Sequence, residues 1–248
     1  MTDLVARGMA SKDRLIVALD VPTVDQALAI VDRLDNVSFF KIGLQLFITG
    51  GLPTLLEALR TKDVFVDLKL PGDISNTIAA VVDACVNMNV AFLTLSESMP
   101  ARAIGAARAA RDARKSARPR FLTVPLVSSL DASDLAESGA SGNLETVILE
   151  RAHRAIQAGC DGIIASGDAI RLCREAFPSR VIVSPGIRPA GSSTDDHRRH
   201  TTPADAIRLG ADYLVVGRPI VKAADPRDAA QRIIEEIDQT PRVGAGVR

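Results

Sequence analysis

Short apolar runs of strand length recur along the chain, separated by longer stretches in which apolar positions return every three or four residues. A run of the first kind suits a strand buried on both faces, and a stretch of the second kind carries the one apolar stripe that a helix lays on a sheet. Eight runs read as strands: residues 15–19, 39–42, 64–68, 92–95, 121–124, 162–165, 181–184 and 213–216. Each is followed by a segment of helical period, and the one after the seventh run is short. Strand and helix alternating in this way predict parallel pairing through crossover helices. Eight such units favour closure into an α/β fold of the TIM-barrel type, a (β/α)8 barrel, over an open doubly wound sheet.

No Pro/Gly/Ser-rich linker interrupts the pattern, so residues 1–248 read as a single domain, with 1–12 and 240–248 expected to be flexible. The two most irregular stretches, 131–143 and 190–202, directly follow the fifth and seventh runs. In a barrel those positions are loops of the C-terminal face, where catalytic groups collect and where a long loop can serve as a lid.

Composition refines this picture. Hydrophobic residues make up 47% of the chain, aromatics 3%, and there is no tryptophan, which predicts a core of Ala, Val, Leu and Ile with small side chains layered inside the barrel. Thirty basic and thirty acidic residues cancel, so no global field draws nucleic acid or anionic lipid, and any phosphate must be recognised locally. Three widely spaced cysteines, Cys85, Cys160 and Cys173, form neither a disulfide framework nor a metal-ligand pattern, which fits a reducing cytoplasm. No apolar stretch reaches the length of a membrane span, and the first residues lack the apolar region of an export signal.

Charge then singles out one end of the barrel. Asp67 and Lys69 lie two apart on the third run and therefore project to the same side. Asp20 closes the first run, Lys41 the second, and Asp73 follows the third. One acid–lysine pair alone reads equally well as an ion pair capping a strand. A cluster of opposed charges converging on one face is different, because burial costs several kcal/mol per ion and chemistry explains it better than structure. After the last two runs come SPGIRP (184–189) and GRP (217–219), glycine for close approach and arginine for charge, in the region where barrels bind phosphate.

LIVALDVP, FFKIG, DLKL with the following DISNT, SPGIRP and GADYLVVGRP, in this order across nearly the whole chain, resemble orotidine 5′-phosphate decarboxylase. The resemblance implies decarboxylation of orotidine 5′-monophosphate to uridine 5′-monophosphate without a cofactor. Lys41, Asp67, Lys69 and Asp73 would form an alternating Lys-Asp-Lys-Asp array in which Lys69 protonates C6 and Asp67 faces the substrate carboxylate. Asp73, with Ile74 and Thr77, would reach the neighbouring site of a homodimer. Asp20 and Lys41 would bind ribose hydroxyls, and Ser128 and Ser129 the pyrimidine. Gly217 and Arg218, assisted by Arg188, would hold the 5′-phosphate.

Three departures from the family's pattern stand out. The usual DxKxxD spacing is one residue longer here, DLKLPGD, and the Pro71–Gly72 pair is expected to absorb the extra residue in a tight turn. His197 takes the place of the usual lid glutamine, and Ser96 and Glu97 that of a His-Gly pair. Two alternatives stay open: a metal-dependent sugar-phosphate enzyme of the same barrel superfamily, and a paralogue that binds a nucleotide without turnover.

Overall fold

The computed structural model describes residues 9–72, 74–128, 132–137, 142–189 and 201–241. In chain order they form β1 (Leu15–Ala18), α1 (Val24–Asp32), β2 (Phe39–Gly43), α2 (Leu44–Ile48), α3 (Leu52–Ala58), β3 (Asp63–Leu70), α4 (Ser75–Asn87) and β4 (Phe92–Ser96). There follow α5 (Ala101–Ala113), β5 (Arg120–Val124), α6 (Ala132–Glu137), α7 (Leu144–Ala158), β6 (Gly162–Ile164) and α8 (Ala169–Ala176). The chain continues through β7 (Val181–Ser184), α9 (Pro203–Leu209), β8 (Tyr213–Val216), α10 (Arg218–Val221) and α11 (Pro226–Gln239). All eight strands pair in parallel with their sequence neighbours, and β8 returns to β1, with Leu15 opposite Leu214, to close the barrel. The helix after β7 is short, as the sequence predicts. α6 lies inside a stretch whose composition reads as loop, where a single turn and a half of helix leaves no recognisable period.

Alternation along the strands sorts residues into two layers. Leu15 and Val17, Phe40 and Ile42, Val64 and Val66, and Leu214 and Val216 pack outward against the helices. Ile16, Ala18, Phe39, Phe65, Phe92, Leu122, Val183, Tyr213 and Val215 point inward. The expectation of small layered side chains fails here. The N-terminal end of the interior is filled by Phe39, Phe65, Phe92 and Tyr213, with ring centroids 5.1–6.0 Å apart. A rare residue type is concentrated where its volume is needed: each buried ring is worth about 2–3 kcal/mol, and together they plug the floor of the barrel. Lys41, Asp67 and Thr94 follow in the same inward rows, two residues above Phe39, Phe65 and Phe92.

The floor is also held by two brackets of the same design. Asp161, just before β6, accepts from the Phe121 amide of β5 at 2.8 Å and from Arg111 of α5 at 2.6 Å. Asp212, just before β8, accepts from the Ile182 amide of β7 at 2.8 Å and from Arg174 of α8 at 2.7 Å. Breaking such a part-buried pair from one side costs about 3 kcal/mol. The strand order is therefore pinned at the end of the barrel away from the charged mouth.

Candidate active site

The third strand does not run straight through its charged end. β3 and β4 pair regularly at Phe65–Phe92 and Val66–Leu93, then lose register until Leu70 meets Leu95. Within that bulge Lys69 adopts φ +49°, a left-handed conformation that costs an L-residue other than glycine about 1–2 kcal/mol. The extra residue of DLKLPGD is accompanied by this bulge and not by a left-handed glycine. Gly72 stays out of the left-handed region and serves a different need, because a Cβ there would meet the Pro100 ring at 2.4 Å.

The bulge brings Lys69 into line with the charges of the neighbouring strands. Lys69 Nζ donates to Asp67 Oδ1 at 2.9 Å, Lys41 Nζ lies 3.6 Å from Asp67 Oδ2, and Lys41 Nζ donates to Asp20 Oδ1 at 2.9 Å. Asp20–Lys41–Asp67–Lys69 is thus one chain of alternating sign crossing β1 to β3. Gly43, at the end of FFKIG, leaves room for its first pair: a Cβ there would stand 3.0 Å from Asp20 Oδ1 and 3.3 Å from Lys41 Nζ. Asp73, the fourth member of the Lys-Asp-Lys-Asp array, lies outside the described residues.

Burial alone would raise the Asp67 pKa, but Lys41, Lys69 and the hydrogen bonds from Lys69 and Thr94 outweigh it and hold the carboxyl below its ordinary 3.8. For Lys41 burial pulls downward, and Asp67 and Asp20 overcome it to raise the ammonium above its ordinary 10.5. The stability that Asp67 contributes is therefore complete above 3.8 and lost as pH falls through its lowered folded value; that of Lys41 is complete below 10.5 and lost above it. The gap in urea midpoint between the native protein and an Asp67→Asn variant is accordingly expected to stay constant from about pH 5 to pH 9 and to narrow on the acid side of 3.8. A gap that already closes near neutrality would contradict the array.

Beyond the charges opens a cavity of about 610 Å³, within the range of small-ligand sites. Ala18, Phe65, Val124, Ile164 and Val215 supply apolar wall, and Ser128, 8% exposed, a hydroxyl. Across from β3 the wall is made by Pro185, Gly186, Arg188, Gly217 and Arg218. Gly186 sits at φ +74°, which explains the glycine of SPGIRP. Arg188 is 7% exposed; its Nη1 donates to the Ile187 carbonyl at 2.9 Å and its own amide to Thr201 at 2.9 Å. Arg218 opens α10 directly after Gly217.

The structure therefore gathers Asp20, Lys41, Asp67, Lys69, Ser128, Arg188, Gly217 and Arg218 around one cavity. Ile74, 67% exposed, and Thr77, also exposed, stand outside it at the start of α4. Ser129 and His197 lie outside the described residues. Ser96 and Glu97 bond to each other at 3.1 Å and do not belong to the described wall. Two residues that sequence reasoning passed over do take part. Lys222 lines the rim beside Arg218, and fully buried Thr94 bonds both Lys69 and Asp67.

The sequence profile of the orotidine 5′-phosphate decarboxylase / HUMPS family matches residues 13–233. Two proteins named orotidine 5′-phosphate decarboxylase, from Rhodopseudomonas palustris strains HaA2 and BisB5, are each 44% identical to the chain, covering 93% of it and 97% of their own length. The crystal structure of orotidine 5′-phosphate decarboxylase from Lactobacillus acidophilus superposes with a TM-score of 0.79 at 29% identity, over 91% of this chain and 99% of that one. An uncharacterized conserved protein from Geobacillus kaustophilus follows at 0.76 and 26% identity, over 90% and 99%. Barrel closure, the order of the charged motifs and similarity along almost the full length agree: the chain belongs to the orotidine 5′-phosphate decarboxylase / HUMPS family.

Proposed function

We propose that this chain, working as a single domain in the cytoplasm, decarboxylates orotidine 5′-monophosphate to uridine 5′-monophosphate in pyrimidine biosynthesis, with Lys69 as proton donor and no cofactor. It is a carboxy-lyase, as its relatives are named. The observation that carries the reading is the alternating chain Asp20–Lys41–Asp67–Lys69 at the mouth of a cavity with Arg188 and Arg218 on its other side. Two groups of cations separated by a partly apolar space suit a molecule with a reacting carboxylate at one end and a phosphate at the other.

In this reading Arg218 and the Gly217 and Arg218 amides hold the phosphate, with Arg188 and His197 assisting. Asp20 and Lys41 take the ribose hydroxyls, and Ser128 and Ser129 the pyrimidine edge. As the C6–carboxylate bond breaks, its electron pair stays on C6 and carbon dioxide leaves. The Lys69 ammonium, fixed by Asp67, stabilises that charge better than reorganising water does, then passes its proton to C6. Water returns a proton to the amine.

Asp73, Ile74 and Thr77 reach into the site of a second subunit. Exposed Leu44, Phe47 and Ile48 of α2 support a homodimer, since with Ile74 they put large apolar side chains, 41–77% exposed, after the neighbouring strands β2 and β3. The test is the absorbance loss of orotidine 5′-monophosphate with purified protein in chelator. Sustained loss is expected. Turnover confined to a keto-hexulose phosphate with added magnesium, or uridine 5′-monophosphate binding without turnover, would overturn the reading.

A further inference from the structure

The mechanism leaves unused one polar group buried directly beneath the charges. Thr94 stands in the middle of β4, between Leu93 and Leu95, with 0% exposure. Its hydroxyl accepts the Lys69 backbone N–H at 2.9 Å and donates to Asp67 Oδ1 at 3.0 Å. A hydroxyl has a single hydrogen, so one group spends its donor on the carboxylate and its acceptor on the lysine main chain. Both contacts fall inside the break in register between Val66 and Leu70, where Lys69 holds φ +49°. There the Lys69 amide is met by a side chain of the neighbouring strand.

We propose that Thr94 is a positioning residue for the decarboxylation: it fixes the left-handed turn at Lys69 and the orientation of the Asp67 carboxylate together, so that the Lys69 ammonium is delivered to the reacting carbon. The proposal rests on the decarboxylase reading above. A left-handed lysine relaxes toward ordinary strand geometry once nothing holds its amide, and relaxation there moves the ammonium at the far end of a long side chain. A threonine that only filled space would be replaced by valine at no loss, because the two are nearly equal in volume. This one faces a carboxylate, and the charges around that carboxylate are Lys69 on β3, Lys41 on β2 and, beyond Lys41, Asp20 after β1.

Thr94→Val, Thr94→Ala and Thr94→Ser test this, with urea unfolding to identify folded variants. Loss of the hydroxyl is expected to lower kcat about 100-fold, as a misplacement near 1 Å does, with KM for orotidine 5′-monophosphate held within about threefold. Thr94→Ser is expected to keep most of the native kcat. A titration of the Asp67 carboxyl by carbon-13 NMR supplies a readout independent of turnover. Its midpoint is expected to rise in the valine and alanine variants, because the Thr94 hydrogen bond is one of the interactions that hold it low, and to stay in place in the serine variant. Valine matching serine in kcat and in the Asp67 midpoint would overturn the proposal. Should the native protein leave orotidine 5′-monophosphate intact, the decarboxylase reading fails, and the titration still decides whether Thr94 holds Asp67.

Discussion

Lys69→Ala is expected to reduce turnover of orotidine 5′-monophosphate by at least about 10⁴-fold, because in the proposed mechanism one side chain supplies both the charge that stabilises the carbanion and the proton that quenches it. The barrel is expected to remain folded. Alanine leaves Asp67 with Lys41 at 3.6 Å and the Thr94 hydroxyl at 3.0 Å, so no buried carboxylate is stranded. Uridine 5′-monophosphate, which lacks the carboxylate, should still bind, and its retention separates lost chemistry from lost fold. The measurement is absorbance loss under single-turnover conditions beside a binding titration with the product. A variant that kept even a tenth of the native rate would move the proton donor away from residue 69.

The second large effect is expected at the other side of the cavity. Arg218→Ala removes a guanidinium from the proposed phosphate grip, where a charge-assisted pair is worth roughly 2–5 kcal/mol. kcat/KM is therefore expected to fall by about 10³-fold. Arg188, held by the Ile187 carbonyl, and Lys222 at the rim remain, which keeps the loss finite. The control is orotidine without its phosphate, on which native and variant proteins should become equally slow. A variant that also lost ground on orotidine would show that Arg218 acts on something other than the phosphate.

Most of this architecture is legible in the order of residues. The eight apolar runs fall on the eight strands, and residues 181–184 and 213–216 match β7 and β8 to the residue, because a parallel strand buried on both faces has little room for any other composition. The period of two puts Asp67 and Lys69 on one side of their strand, Asp20 and Lys41 close the two preceding runs, and the structure brings the four together. The route to Lys69 was not legible, since the bulge depends on where Leu70 meets Leu95, a pairing between strands that no local pattern records. Thr94 escaped notice because a threonine within FLTLS reads as ordinary strand composition. Lys222 escaped because a lysine ending a helical turn reads as a solvated charge. The aromatic floor was hidden by the low aromatic fraction, which gives the number of rings and not their concentration in one layer.

The left-handed turn at Lys69 also bears on how related sequences should be read. Stability of the turn by itself favours glycine or asparagine at such a φ, and the proposed reaction gives a reason for a lysine there. A lineage relieved of the need for this chemistry would gain by exchanging residue 69 while keeping its aromatic floor and its aspartate–arginine brackets. On the proposed mechanism, a relative with glycine at this position and the rest of the barrel intact is expected to fold and to leave orotidine 5′-monophosphate unconverted.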